Sequence, residues 1–272
     1  MKPKTLVFSG YGLNCEEETK YAFETAGSVA DIVHINDLID GRIKLSDYQI
    51  LAIPGGFSYG DDTGSGNAYS NRLRNHLWSD LLKFIKQDKL IIGICNGFQI
   101  LVNLGLLPAI NKNYGVRTVA LMPNDSVRYT VRFVDLKKEK GNKSPWVKGI
   151  DNFSIPIAHG EGKFFADKDV LRELNRKKMI AFRYFKGEAC RYLNLEANPN
   201  GSLEDIAGIT DETGRILGLM PHPERALFFT QMPNWPLLAE QYKRLVKKLP
   251  QEGPGVSIFR NGINYFINSE IR

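Results

Sequence analysis

Cys95, His222 and Glu224 are the residues whose types can do covalent chemistry together. A cysteine nucleophile needs a base that takes and returns its proton, and the base needs a third group that holds its tautomer. Cys95 sits in Gly93-Ile94-Cys95-Asn96-Gly97, after the apolar run Leu90-Ile91-Ile92 and before the helical pattern Phe98-Gln99-Ile100-Leu101. That order reads as strand, sharp turn and helix, the layout of a nucleophile elbow with sulfur in place of a hydroxyl. Glycines two residues to either side leave room for a strained turn and for a substrate approaching the backbone. The positive end of the helix dipole favours a thiolate at that position. His222 and Glu224 lie in Pro221-His222-Pro223-Glu224-Arg225, where two prolines fix the backbone around the histidine. A lone cysteine after an apolar strand usually packs in a core, and a histidine two residues before a glutamate is usually structural. Joined in this chain order, the two stretches point to nucleophilic attack.

The elements that must position these residues are legible as a rhythm. Thr5 to Ser9 is a short apolar strand ending in Gly10-Tyr11-Gly12-Leu13-Asn14-Cys15, a helix follows from about Glu16 to Ala26, and a second strand runs from Val29 to His34. The rhythm repeats at Gln49 to Ile53, at a long helix with Leu73, Leu77, Leu81 and Phe84 on one face, and at Leu90 to Ile94. Strands separated by helices indicate right-handed crossovers and a mostly parallel α/β sheet with helices on both faces. Ligands bind such sheets at the carboxyl ends of the strands, where Gly10, Pro54 and Cys95 all fall. The middle loop, Pro54-Gly55-Gly56-Phe57-Ser58-Tyr59-Gly60-Asp61-Asp62, lacks the Gly-Lys-Ser/Thr of a phosphate loop. It is either a plain turn or a row of backbone N–H groups facing an oxyanion.

From about Val116 the texture changes. Val127, Tyr129, Val131 and Phe133 alternate with polar residues, Ser154 to Ala158 and Met179 to Phe185 read as strands, and Ile206 to Met220 reads as a hairpin. This antiparallel portion extends the sheet, because no linker intervenes. Lys137 to Asp151 reads as a solvated polar loop, Trp235 to Leu249 as an amphipathic helix, and Val256 to Arg260 as a short strand. The chain thus divides into one domain, 1–249, and a C-terminal tail, 250–272.

Bulk properties narrow the function. The 272 residues are 43% hydrophobic and 24% charged, enough for a full core, and the net charge is +6. Basic residues are scattered, with no arginine-rich arm, which argues against nucleic acid; an acidic protein partner or a phosphorylated metabolite fits the balance as well. No segment reaches membrane-spanning length and no signal peptide is legible, so a cytoplasmic, reducing location is expected. Cys15, Cys95 and Cys190 form no disulfide framework, and no His/Cys/carboxylate grouping has metal-ligand spacing, so no metal site is expected. Cys15 reads as packing in the first loop, Cys190 as core, and His34 and His76 as structural or surface residues.

On these stretches the chain resembles the class I (triad) glutamine amidotransferases. Pro54 to Asp61, Gly93 to Gln99, Ala158-His159-Gly160-Glu161-Gly162 and Pro221 to Arg225 narrow the resemblance to the glutaminase subunits of phosphoribosylformylglycinamidine synthase, of purine biosynthesis. The resemblance implies a flavodoxin-like sheet, L-glutamine as substrate, Cys95, His222 and Glu224 as the triad, and the N–H groups of Gly56 and Asn96 as the oxyanion hole. It places Gly55, Gln99, His159, Gly160 and Glu161 near the bound glutamine. It also implies a synthetase partner that carries ATP and magnesium, with a small bridging subunit, and no cofactor in this chain. The 137–151 loop and the 250–272 tail make the chain longer than the short subunits of that family. Alternatives are a triad glutaminase serving another acceptor, a non-catalytic regulatory module, and a cysteine peptidase on a related scaffold.

Overall fold

In a computed structural model, which describes residues 2–269, the first part of the chain alternates strand and helix as expected. It runs β1 (Lys4–Ser9), α1 (Glu16–Thr25), β2 (Val29–His34), α2 (Ile35–Ile39), β3 (Ile50–Ile53), α3 (Asn67–Lys86), β4 (Leu90–Ile94) and α4 (Asn96–Asn103). The remainder comprises β5 (Val119–Pro123), β6 (Thr130–Lys138), β7 (Asn152–His159), β8 (Glu161–Ala166), α5 (Lys168–Arg176) and β9 (Ile180–Phe185). It ends with α6 (Glu188–Tyr192), β10 (Ile206–Thr210), β11 (Ile216–Leu219), α7 (Trp235–Arg244) and α8 (Val256–Ser269).

Nine strands form one sheet in the order β2-β1-β3-β4-β11-β10-β9-β6-β7, and β5 pairs with β8 in a separate ribbon. β2, β1, β3, β4 and β11 are parallel; β10, β9, β6 and β7 extend the sheet in antiparallel fashion. The central parallel strands β3 and β4 are buried along their length (Ile50-Leu51-Ala52-Ile53, Leu90 to Ile94), as continuous apolar runs covered on both faces must be. Going left from β1 to β2 and right from β3 to β4 with right-handed crossovers puts α1 and α3 on opposite faces. The α3 stripe of Leu73, Leu77, Leu81 and Phe84 is buried.

Four local expectations are corrected. Val256 to Arg260 is not a strand but the first part of α8. A short apolar run is ambiguous, and the continuation decides it: Val256, Phe259 and Ile263 recur at helical spacing and are all buried. The 137–151 segment is not solvated throughout. β6 runs to Lys138, and Trp146 and Val147 are fully buried in a turn whose N-cap is the Ser144 hydroxyl. The antiparallel strand begins at Thr130, not Val127, which is an exposed residue with a left-handed φ of 52°. The helix after Trp235 stops at Arg244 and fully buries none of its residues.

The 137–151 segment and α8 pack on each other. Asn261 of α8 donates to the Trp146 and Lys148 carbonyls, and a Cβ at Gly262 would lie 2.5 Å from the indole of Trp146. Phe259 meets Phe23 of α1 edge to face with ring centroids 5.0 Å apart. The segment 250–269 is thus docked onto the body of the fold.

Candidate active site

The carboxyl ends of β1, β3, β4 and β11 carry the loops that meet at Cys95. Its backbone has φ 51° and ψ −108°, a strained conformation that a non-glycine residue keeps only where its surroundings enforce it. The Cys95 N–H donates to Leu219 O at 2.8 Å, tying the elbow to the end of β11. The helix behind it approaches β3 so closely that a Cβ on Gly97 would fall 1.9 Å from the Ile53 carbonyl oxygen. The elbow therefore needs glycine on its helical side for packing. The Cys95 thiol, 5% exposed, points toward the Ala158 carbonyl, 3.8 Å away.

Leaving β11, the chain delivers His222, whose N–H donates to Pro156 O at 2.7 Å. Nδ1 of His222 lies 2.5 Å from Oε1 of Glu224, and both side chains are buried. Burial pushes the imidazole pKa down, but the Glu224 carboxylate, the Cys95 sulfur and Cys15 together outweigh it and hold it well above the ordinary histidine value. The nucleophile and base are close enough to couple.

The Pro-Gly-Gly loop is held by the loop after β1. The N–H groups of Asn14 and Cys15 both donate to Gly55 O, Phe57 N–H donates to Gly12 O, and Leu13 and Gly56 bridge as an antiparallel pair. In this pattern Gly56 is the unbonded member of the pair, so its N–H is directed away from residues 12–14. Gly56 takes φ 156°. The Asn96 N–H is among the first-turn donors of α4 that no helical carbonyl can satisfy. The loop thus leaves the Gly56 N–H unpaired with residues 12–14.

The other anticipated residues divide. Gln99 spends both ends internally: its Oε1 accepts from Asn96 Nδ2 at 2.9 Å and its Nε2 donates to Glu161 O at 2.9 Å, fixing the Gly160-Glu161 backbone to α4. Glu161, Gln99, Arg117 and Ser65 line a cavity of about 240 Å³ beside the elbow. Gly160 lies under the Tyr129 ring. His159 is buried, with Nδ1 3.0 Å from Asn124 Oδ1, and burial together with the His222 charge pushes its pKa down to about 3. It is a neutral histidine built into the wall. Gly55 is wedged: a Cβ there would lie 2.7 Å from His222 Cε1 and 3.2 Å from Cys15 Sγ.

Three neighbours went unnoticed as site residues. Tyr129 donates its hydroxyl to Ala158 O, the carbonyl that the Cys95 thiol faces, and its ring meets Phe57 at 5.8 Å between centroids. Arg225 donates to Cys15 Sγ at 2.9 Å. Cys15 lies against the histidine, and one ligand-type atom from each of Cys15, His222 and Glu224 falls within 4.8 Å of the others. Distance along the chain hid that grouping. Only the Arg in Pro-His-Pro-Glu-Arg, fixed by the same turn as the base, gave a sequence signal. His34 is structural as read: its Nδ1 accepts from Asn36 N–H at the start of α2.

A parallel sheet with a cysteine elbow beside a buried histidine–carboxylate pair is the architecture of the triad amidotransferases. The family model of the CobB/CobQ-like glutamine amidotransferase domain matches residues 2–266, and the chain belongs to that family. It is 50% identical over 267 residues to the phosphoribosylformylglycinamidine synthase subunit PurQ of Methanococcus maripaludis, covering 97% of each chain. It is 41% identical over 264 residues to the PurQ subunit of Dehalococcoides mccartyi, covering 97% of this chain and 98% of that one. Among solved structures, a chain of PurLQS from Thermotoga maritima superposes with a TM-score of 0.71 at 31% identity, with 98% of this chain and all of that one covered. No helix among the described residues is long and apolar enough to cross a membrane.

Proposed function

We propose that the chain hydrolyses L-glutamine to glutamate and ammonia, and supplies the ammonia to a synthetase that makes formylglycinamidine ribonucleotide in purine biosynthesis. The observation that carries this reading is Cys95, at a strained elbow beside the His222–Glu224 pair, in a chain half identical to PurQ subunits along nearly its whole length.

Cys95 thiolate attacks the side-chain amide carbon of glutamine, forming a C–S bond and a tetrahedral oxyanion. The N–H groups of Gly56 and Asn96 receive that oxyanion, and one such donor is typically worth about 3 kcal/mol. His222 gives its proton to the nitrogen as the C–N bond breaks, with Glu224 steadying the imidazolium. Water that has lost a proton to His222 then hydrolyses the γ-glutamyl thioester. Gly55, Gly160 and Glu161 frame the substrate, while Gln99 and His159 act through the backbone they hold. Partners are a PurL-type synthetase, which carries the ATP and magnesium, and a small PurS-type bridging subunit; the complex works in the cytoplasm.

The test is a glutamine-mimicking electrophile added to the chain with and without its synthetase, followed by mass-spectrometric mapping. Modification of Cys95 that glutamine suppresses is expected. A folded sample in which Cys95 stays unmodified in both mixtures overturns the reading.

A further inference from the structure

We propose that Cys15, His222 and Glu224 form a site for a thiophilic divalent cation, zinc or cadmium, whose binding switches the triad off. Two loops supply the ligands: Cys15 from the loop after β1, His222 and Glu224 from the turn after β11. One thiol, one imidazole and one carboxylate make a donor set suited to zinc, and their ligand atoms already lie within 4.8 Å of one another. Tetrahedral zinc with these donors needs ligand separations of about 3.5 Å, a contraction that side-chain rotation supplies. All three residues are buried at the base of the site.

A second observation singles out the carboxylate. Glu224 offers Oε1 to His222, but its Oε2 is buried with no hydrogen-bond partner among the described residues, and so is Nε2 of His222. Hydrolysis uses Nε2 but gives Oε2 no partner. A buried carboxylate oxygen left without one is costly, and a cation satisfies it. Cys15 likewise has no step in the hydrolytic mechanism. Arg225, donating to Cys15 Sγ at 2.9 Å, opposes a cation and makes the site weaker than a structural zinc centre. That suits reversible inhibition better than permanent occupancy. A bound ion takes the histidine's lone pair and breaks its bond to Glu224, so the base can no longer accept the Cys95 proton.

Binding itself is independent of the glutaminase reading; the inhibition arm rests on it. The binding arm uses Co²⁺ alone, added to the full-length Cys95→Ser protein, in which the nucleophile cannot contribute sulfur. A thiolate-to-cobalt charge-transfer absorption that saturates at one ion per chain is expected, and it disappears in the Cys15→Ser/Cys95→Ser protein. In the inhibition arm, zinc is titrated against glutaminase activity of the intact complex, each protein normalised to its own metal-free rate. Loss of one ligand in Cys15→Ser is expected to raise the half-inhibiting zinc concentration by about tenfold or more. Cys15→Ala is run beside it, with circular dichroism to confirm folding, and is expected to behave alike. No cobalt band in Cys95→Ser, or unchanged zinc sensitivity in both folded Cys15 variants, overturns the site. A cobalt band on a protein whose Cys95 resists the glutamine electrophile keeps the site and overturns the glutaminase reading instead.

Discussion

Glu224 holds its Oε1 2.5 Å from Nδ1 of His222 across a single intervening proline, with both side chains withdrawn from solvent. The pair is prefixed by the backbone, since Pro223 restricts the turn between them. An orienting carboxylate contributes less than the base it orients. In the reconstituted complex, His222→Ala is expected to lower glutamine-dependent kcat by roughly a thousandfold or more and Glu224→Ala by roughly a hundredfold. Equal losses in two folded variants contradict that division.

Cys95→Ala removes the nucleophile and leaves the elbow's packing in place. Glutamine-dependent amidine synthesis should vanish, while synthesis from added ammonium salts by the same complex should persist at the wild-type rate. Measuring both from one preparation separates a chemical role from an architectural one.

Gly55 tests the fit between oxyanion loop and base. Its φ is not left-handed, so Gly55→Ala adds no backbone strain; the new Cβ instead presses on His222 Cε1 at 2.7 Å and Cys15 Sγ at 3.2 Å. Overpacking of this kind costs about 1–3 kcal/mol. Because the moving part is the imidazole, kcat should fall by more than thermal stability does, as turnover and calorimetry on the same variant will report.

His159 gives a pH prediction. Its folded-state pKa, about 3, lies below the unfolded value near 6.5, so the unfolded chain takes up a proton first. The stability it contributes is present above pH 6.5 and is lost as pH falls from there toward 3. Between pH 6.5 and 4 the loss is about 3 kcal/mol. Urea titrations of His159→Gln across that range should show a shallower acid limb than wild type, with Asn124 still able to bond the amide.

Phe259 anchors α8 on α1, fully buried and edge-on to Phe23. Phe259→Ala should cost about 3–5 kcal/mol in unfolding experiments. The triad sits on other loops, so glutaminase turnover below the lowered melting temperature should change little.

The parts of this fold that repeat were the parts the sequence made legible. Alternation of apolar runs with helical stripes located β1 to β4, and the Gly-x-Cys-x-Gly and Pro-His-Pro-Glu stretches pointed to Cys95, His222 and Glu224 as candidates. What stayed hidden depended on contacts between distant segments. Trp146 lies in a lysine-rich stretch that looks solvated, and its burial comes from distant Arg215, Asn261 and Gly262. Val256 to Arg260 is too short for its period to be told. Gln99 carries the right motif position, yet its amide is consumed by Asn96 and Glu161, a fact that spacing does not encode. Cys15 is far from His222 in sequence, so its place beside the base is a property of topology alone.

The seating of α8 against Trp146 and Phe23 has a consequence for biogenesis. All eleven strands leave the ribosome before Val256 does, so a nascent chain can complete its sheet while the pocket around the indole and the outer face of α1 still lack their cover. During that interval the chain exposes apolar surface that a chaperone or a neighbouring nascent chain can bind. The interval closes when α8 emerges and docks over Trp146 and Phe23.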